Sequence, residues 1–360
     1  MIEGYATKEG TKRFKDRFNN DKHFRLVNEL YLTSIGMGTY LGTTSKEEDR
    51  MIIDAIKLSV SNGAINVIDT AINYRSQKSE RAIRRAVEDM IDNNLIRRDE
   101  IFISTKNGYI TDDGDLDMDI WQYIQTRLIN TGIIKPEDIS SGYHCMKISY
   151  LEDQLERSRR NLGLETIDLL YLHNAIESQV YDVGRDRFMQ MLKDVFEFYE
   201  EKRMEGKIRY YGLATWNCFR VKEDHIEYLN LYDIVKMAES IKKDHGFKFI
   251  QLPFNLAMPE ALTLKNQHID NEQMNIIDAA DRLGIGIFTS VPLMQGKILD
   301  RIPEFANIKS AALRCLQFAR SAGVIPLVGQ KRLEHVKENI KIAEIETLSK
   351  EEFKQLFATD

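Results

Sequence analysis

Cysteine is scarce: Cys145, Cys218 and Cys315 are the three among 360 residues. They are too few and too scattered for a disulfide framework, and none stands in a CxxC spacing that would hold a metal, which agrees with a reducing compartment. Long apolar runs are missing too. No stretch reaches the roughly 18 apolar residues of a membrane-spanning helix, and the opening MIEGYATKEGTKR lacks the apolar core of a secretory signal. The expectation is a cytoplasmic protein that neither spans nor crosses a membrane. Basic charge is not in excess: 50 lysines and arginines against 56 aspartates and glutamates leave a net charge of −6. No overall field therefore invites nucleic acid or an anionic lipid surface. Nor is there a GxGxxG after the first candidate strand. GMGTYLG (36–42) begins with GxG and then departs from the fingerprint, so an open Rossmann-type dinucleotide site is unsupported.

What is present is an ordinary globular composition, 43% hydrophobic and 29% charged, which predicts a buried core and excludes a disordered or collagen-like chain. Length leaves one domain or two open, since about 150 residues per domain is the soft prior and α/β barrels run longer as single units.

Short β-branched or aromatic runs alternate with stretches of helical period, the pattern of βα units around a parallel sheet. The candidate strands are LTSIGMG (32–38), INVIDTA (65–71), IFISTK (101–106), IDLLYLH (167–173), IRYYGLA (208–214), FKFIQLP (247–253), IGIFTSV (285–291) and VIPLVG (324–329). Most are near-continuous apolar runs, as strands covered on both faces should be. Ser45 with Glu48, Ser149 with Glu152 and Asp270 with Gln273 have capping-box or similar spacing and predict helix starts. Gly63, Gly163, Gly206, Gly284 and Gly323 each fall where a helix should stop, shortly before the next strand. Two segments break the rhythm. HFRLVNELYLT predicts a β-hairpin turning at Asn28 and Glu29, an end cap within residues 1–30. Residues 107–147 form a long insertion after the third strand, with the helical stretch IWQYIQTRLI and the turn KPED. On the βα side of a barrel such a loop lies over the active-site face. Periodicity alone does not distinguish a closed barrel from an open doubly wound sheet.

Four polar residues stand at or just beyond the C-terminal ends of strands two to four, where a parallel barrel gathers its site: Asp69, Tyr74, Lys106 and His173. Singly each has a structural explanation, as a turn cap, a packed phenol, a solvated lysine or a core histidine. Together they suit one chemistry. Tyrosine, with a pKa near 10, is a poor proton donor at neutral pH unless a cation favours its phenolate. Lys106 is placed to be that cation, Asp69 to hold it charged and oriented, and His173 to aim a substrate carbonyl through a hydrogen bond. A phenol so placed protonates an oxygen as it becomes an alkoxide. A hydride must come from elsewhere.

At this point the sequence closely resembles the aldo-keto reductase superfamily. The resemblance rests on GMGTY (36–40), DTAINYRSQKSE (69–80), STK (104–106), LGLETIDLLYLH (162–173), YYGLATWN (210–217), QLPFN (251–255), PLMQGK (292–297) and GQKRLEHVKEN (329–339), in family order over roughly residues 30–342. It implies a (β/α)8 TIM barrel over residues 1–360, with 1–30 as a hairpin cap, 107–147 as a βα-loop insertion and 343–360 as a C-terminal tail. It also implies NADP(H) lying across the C-terminal face, and Asp69, Tyr74, Lys106 and His173 as the catalytic tetrad.

The cofactor positions that the resemblance implies begin with Gly38 and Thr39 in GMGTY. Gln251 matches the glutamine that bonds the nicotinamide carboxamide. The usual Ser-Asn pair is replaced by Ala214 and Thr215, and Ser290 stands where the family often places a stacking aromatic, which leaves Trp216 or a residue of the insertion to take that place. Leu293, Gly296 and Lys297 match the loop along the pyrophosphate. Gly329 opens a helix start suited to a phosphate, with Lys331 and Arg332 at the 2′-phosphate position and Glu338 and Asn339 meeting the adenine. Two cations at a helix N-terminus oppose its dipole, so an anionic ligand explains them better than solvation. NADP(H) is favoured over NAD(H) on that ground. Trp216 and His144 are expected beside the substrate.

The resulting expectation is an NADP(H)-dependent oxidoreductase acting on a small-molecule aldehyde, ketone or aldose carbonyl, or the corresponding alcohol. The alternative is an NADPH-binding regulatory or partner-binding subunit with little turnover. No metal is expected: TDDGDLDMD (111–119) spaces Asp113, Asp115 and Asp117 like a calcium loop, but Met118 and Ile124 occupy the positions that need glycine and glutamate.

Overall fold

The computed structural model describes residues 1–18 and 20–356; positions 357–360 of the expected tail lie outside the described residues. In chain order the strands are β1 (Phe24–Val27), β2 (Leu30–Thr33), β3 (Gly36–Gly38), β4 (Val67–Asp69), β5 (Phe102–Asn107), β6 (Ile167–His173), β7 (Ile208–Ala214), β8 (Phe247–Pro253), β9 (Gln267–Ile269), β10 (Glu272–Met274), β11 (Gly286–Ser290) and β12 (Ile325–Gly329). Eight of them close into a parallel barrel in the order β3-β4-β5-β6-β7-β8-β11-β12, β12 pairing back onto β3. The expected sheet is thus a closed (β/α)8 barrel, built from the eight segments that the sequence marks as strands.

The register positions the site. One row of the ladder runs Gly329, Gly38, Asp69, Ser104 and another runs His173, Ala214, Gln251. Because the strands are parallel, these positions share one rim, and the loops that follow them fold over the same face.

The barrel interior is apolar, centred on Val67, Phe102, Leu169, Tyr171, Phe249, Phe288, Ile325 and Leu327. Phe102, Phe249 and Phe288 pack ring to ring at 5.4–5.9 Å. Ala6, Leu30 and Leu32 belong to the same cluster, so the N-terminal segment plugs the face opposite the site. The hairpin turns at Asn28 and Glu29, both left-handed (φ 46° and 67°), as a two-residue turn with the twist of its arms requires. A larger cluster lies between barrel and helices, to which α1 (Lys8–Phe18), α2 (Lys46–Ser61) and α3 (Lys78–Asp92) contribute Phe14, Ile56 and Val87. The five glycines placed at helix ends all have left-handed φ, between 67° and 91°.

Three sequence expectations change. Leu32 and Thr33 pair in the hairpin, so the first barrel strand starts at Gly36. Ser149 is not a cap: its helix, Ile148–Leu162, begins after Lys147, and Ser149 Oγ donates instead to Ile133 O at 2.6 Å, tying the helix to the insertion. Asp270 is a left-handed turn residue between β9 and β10, and the helix Ile276–Arg282 is capped by Asn275, which accepts from Asp278 N at 2.8 Å.

The insertion is closed at its base, where Ile110 N donates to Tyr143 O and Cys145 N to Gly108 O. It contains the helical turns Ile120–Tyr123 and Ile124–Ile129, the second wound more widely, and a short turn at Pro136–Asp138. Asp113 and Asp115 are engaged by Arg81, and Asp115 also by Lys78. Among the described residues no helix is long and apolar enough to cross a membrane.

Candidate active site

A cavity of about 830 Å³ opens on the C-terminal rim, lined from both rows of the ladder and from the loops after β3, β4, β5, β6, β7, β11 and β12. At its floor Lys106 is fully buried, and its Nζ donates to Asp69 Oδ2 at 2.5 Å and to Thr70 O at 2.7 Å. The other carboxylate oxygen accepts from Ser104 Oγ at 2.7 Å. Tyr74 arrives on the turn after β4. Arg75, Ser76 and Gln77 follow it with φ of 51°, 52° and 71°, a costly left-handed run held by Arg75 bonding Asp49 and Thr43 O, and by Gln77 bonding Asp112 O. The result places the Tyr74 ring 4.8 Å above Lys106 Nζ and edge-on to His173, centroids 5.9 Å apart.

Burial and, second, the Asp69 carboxylate push the Tyr74 phenol well above its usual 10, so Tyr74 stands loaded with its proton. Lys106, the cation that the sequence sets beside the phenol to favour its phenolate, lies 4.8 Å from the ring and is itself paired with Asp69 at 2.5 Å. Burial lowers the Lys106 ammonium, opposed by Asp69. His173 is pushed well below its usual range by burial, then by Lys106 and His144. It is therefore a neutral imidazole able to donate one N–H, and its Nδ1 has no hydrogen-bond partner among the described residues.

Around this floor stand Tyr40, Leu41, Asn73, Tyr109, Asn174 and Trp216. Tyr109, Asn174 and Tyr40 were not singled out in the sequence. The available signals were an aromatic three residues past Lys106 and an amide next to His173. Asn73 Oδ1 is buried without a partner. Trp216 is 44% exposed at the mouth, its turn fixed by Glu177 Oε1, which accepts from Trp216 N and Asn217 N at 2.8 and 2.7 Å. His144, expected beside the substrate, does not line the cavity. It is fully buried behind Tyr109, where Gly108 leaves it room, and its Nε2 donates to His173 O at 2.9 Å.

The second half of the cavity collects most of the expected cofactor positions. Gly38 and Thr39 line it, Thr39 Oγ1 donating to Asp69 O. Gln251 Nε2 is buried without a partner, and the buried Thr215 Oγ1 faces only the thiol of Cys218, a weak bonding group. This pair suits a planar amide. Ser290 supplies no ring to the wall. Leu293 and Gly296 line the cavity, whereas Lys297 does not. Gly329, Lys331, Arg332, Glu338 and Asn339 form the far end. Gly329 ends β12, and the helix Leu333–Asn339 starts three residues beyond Gln330 with Arg332 as its unbonded cap. Glu338 accepts from Ser310 Oγ at 2.5 Å, and Asn339 Nδ2 donates to Gln330 Oε1 at 3.0 Å.

Comparison with known proteins bears on the fold and the family. The model of the Aldo/keto reductase family matches residues 34–310. An uncharacterized oxidoreductase YqkF of Bacillus subtilis is 24% identical, covering 92% of this chain and 93% of its own. The NADP-dependent D-sorbitol-6-phosphate dehydrogenase of Malus domestica is 23% identical over 91% and 90%. Among solved structures, an aldo/keto reductase from Klebsiella pneumoniae in complex with NADP and acetate superposes with a TM-score of 0.61 at 18% identity, covering 93% and 94% of the two chains. The holo form of an aldo-keto reductase from Bacillus halodurans gives 0.59 at 20% identity, over 93% and 96%. With the family model matching well over half its length, the chain belongs to the aldo/keto reductase family.

Proposed function

We propose that the protein is an NADP(H)-dependent oxidoreductase that reduces an aldehyde, ketone or aldose carbonyl to the alcohol, reversibly. The observation that carries the reading is the Asp69–Lys106 pair beneath Tyr74, beside a neutral His173, at the floor of a cavity large enough for a dinucleotide and a small substrate. NADP bound in the structurally similar Klebsiella enzyme supports the choice of cofactor, and the weakly satisfied Thr215 and Gln251 suit its carboxamide. Leu293, Gly296, Arg332, Glu338 and Asn339 would hold the rest of it.

When bound, the reduced nicotinamide supplies a hydride to the carbonyl carbon. The chain's own residues do the remainder. His173 donates a hydrogen bond to the carbonyl oxygen and fixes its direction. Tyr74 gives its proton to that oxygen as negative charge develops there, and the Lys106 ammonium 4.8 Å from its ring then stabilises the phenolate that remains. Asp69 keeps Lys106 charged in spite of full burial. Tyr40, Tyr109 and Trp216 enclose the substrate with aromatic surface. In the direction of oxidation Tyr74 takes the proton back.

The test is NADPH consumption by purified protein across a panel of aldehydes, ketones and sugars, with NADP+ reduction across the matching alcohols. No turnover anywhere on the panel, with NADPH bound, would sink the reading and favour a binding subunit.

A further inference from the structure

Lys331 and Arg332 are neighbours in sequence, yet the fold gives them different surroundings. Lys331 Nζ lies 2.8 and 2.6 Å from the two carboxylate oxygens of Glu48, on the first turn of α2, and both side chains are largely shielded, 29% and 18% exposed. Arg332 is exposed, and its guanidinium has no hydrogen-bond or ion-pair partner among the described residues. Glu48 lies close to the Gly42 backbone: Gly42 has φ +140°, and a Cβ there would stand 2.7 Å from Glu48 Oε2. Only glycine suits that position, and it lets the carboxylate reach across to the lysine.

At this end of the cavity Lys331 is thus matched by Glu48, while Glu338 on the same wall accepts from Ser310 Oγ. A ribose 2′-phosphate brings close to two negative charges at neutral pH and must compete with Glu48 for Lys331. A ribose with a free 2′-hydroxyl faces no such competition.

We propose that Glu48 is a specificity-determining residue of the dinucleotide site: by engaging Lys331 it leaves Arg332 to meet the 2′-phosphate alone, and so sets the preference for NADPH over NADH low enough that both are accepted. This rests on the reading of the cavity as a nicotinamide-dinucleotide site. The physical basis is Coulombic. Removing one negative charge in contact with the lysine, in partly shielded surroundings, changes the affinity for a phosphate substantially and that for a hydroxyl little.

The experiment is a fluorescence titration of wild type, Glu48→Gln, Lys331→Met and the double variant with NADPH and with NADH. Glutamine keeps the size of the side chain, and the Glu48 backbone N–H still bonds Ser45 Oγ, so helix α2 keeps its cap; an unchanged thermal midpoint verifies this. Glu48→Gln is expected to bind NADPH about tenfold more tightly and NADH within about twofold of wild type. In the Lys331→Met background the gain should fall below about twofold, because the released lysine is the cause. Unchanged or weaker NADPH binding, equal tightening of both dinucleotides, or a gain that persists without Lys331 would each overturn the proposal. Wild type that binds neither dinucleotide would overturn the cofactor reading itself, an outcome distinct from the others.

Discussion

The ring of Tyr109 stands edge-on to the imidazole of His173, centroids 5.0 Å apart and planes at 84°. The Tyr109 hydroxyl accepts from Asn174 Nδ2 at 3.2 Å and Ser178 Oγ at 3.3 Å, and its carbonyl accepts from Tyr150 Oη and Gln154 Nε2. The first residues of the insertion thus brace a residue of the cavity floor. Tyr109→Phe keeps the ring and should leave kcat/KM within about threefold. Tyr109→Ala frees the imidazole and should lower kcat/KM by about 10–100-fold, since small misplacements of a reacting group are costly. Steady-state kinetics of the two variants decide; equal effects would show that the hydroxyl, and not the ring, matters.

Tyr74→Phe removes the only proposed proton donor and leaves the cavity shape intact. Turnover should fall by at least about 10²–10⁴-fold, with NADPH affinity within about twofold of wild type. Loss of both, or of neither, contradicts the role assigned to the phenol.

The pH dependence of reduction follows from two opposite displacements. His173 is pushed well below its usual range and Tyr74 well above 10, so neither changes charge between about pH 6 and 9. A plot of log kcat/KM for reduction should be flat across that window. A step near 6.5 would mean that His173 titrates like an exposed imidazole.

At the far end of the cavity Arg332 has no carboxylate partner among the described residues. Arg332→Ala should weaken NADPH at least about tenfold and leave NADH nearly unchanged. Similar losses for the two dinucleotides would remove the case for a 2′-phosphate contact there.

Buried histidines make the fold acid-sensitive, His23 and His144 among them. Burial pushes His23 down to about 4 and His144 to about 3. Each is neutral in the folded chain, so below pH 6.5 the unfolded chain binds more protons and stability falls with falling pH. The contribution is complete above 6.5 and drains away towards 4 for His23 and 3 for His144. At pH 5, 1.5 units below the unfolded value, each histidine has cost roughly 2 kcal/mol at about 1.4 kcal/mol per unit. Urea midpoints at pH 7.5 and pH 5 test this, and equal midpoints would refute it.

The barrel was legible because each unit repeats the same local physics. Doubly covered strands such as IDLLYLH are near-continuous apolar runs, and Gly163 or Gly284 marks the left-handed end of a helix. Errors arose where one residue type has several uses. Ser149 and Asp270 have the spacing of caps, but a serine hydroxyl also bonds distant carbonyls and an aspartate also tolerates a left-handed turn. At the site, Asp69, Lys106 and His173 were readable because strand ends meet by topology. Contacts across the sequence were not. Nothing in the local pattern links Glu48 to Lys331, 283 positions away, or buries His144 behind Tyr109. The proton-loaded state of Tyr74 follows first from its burial and second from the nearby Asp69 carboxylate, which are matters of packing and not of order along the chain.

The insertion between Gly108 and Cys145 has an interior of its own, made of Ile110, Tyr123, Ile124, Leu128, Ile134 and Cys145 and sealed by Tyr150 from the following helix. Its apolar contacts form a group separate from those that hold the barrel closed. Of its residues only Tyr109 lines the cavity, and Tyr109 and His144, one at each end, are the two that touch His173. Exchanging the stretch between Ile110 and Tyr143 would therefore replace the module's interior while both braces of the imidazole stay in place.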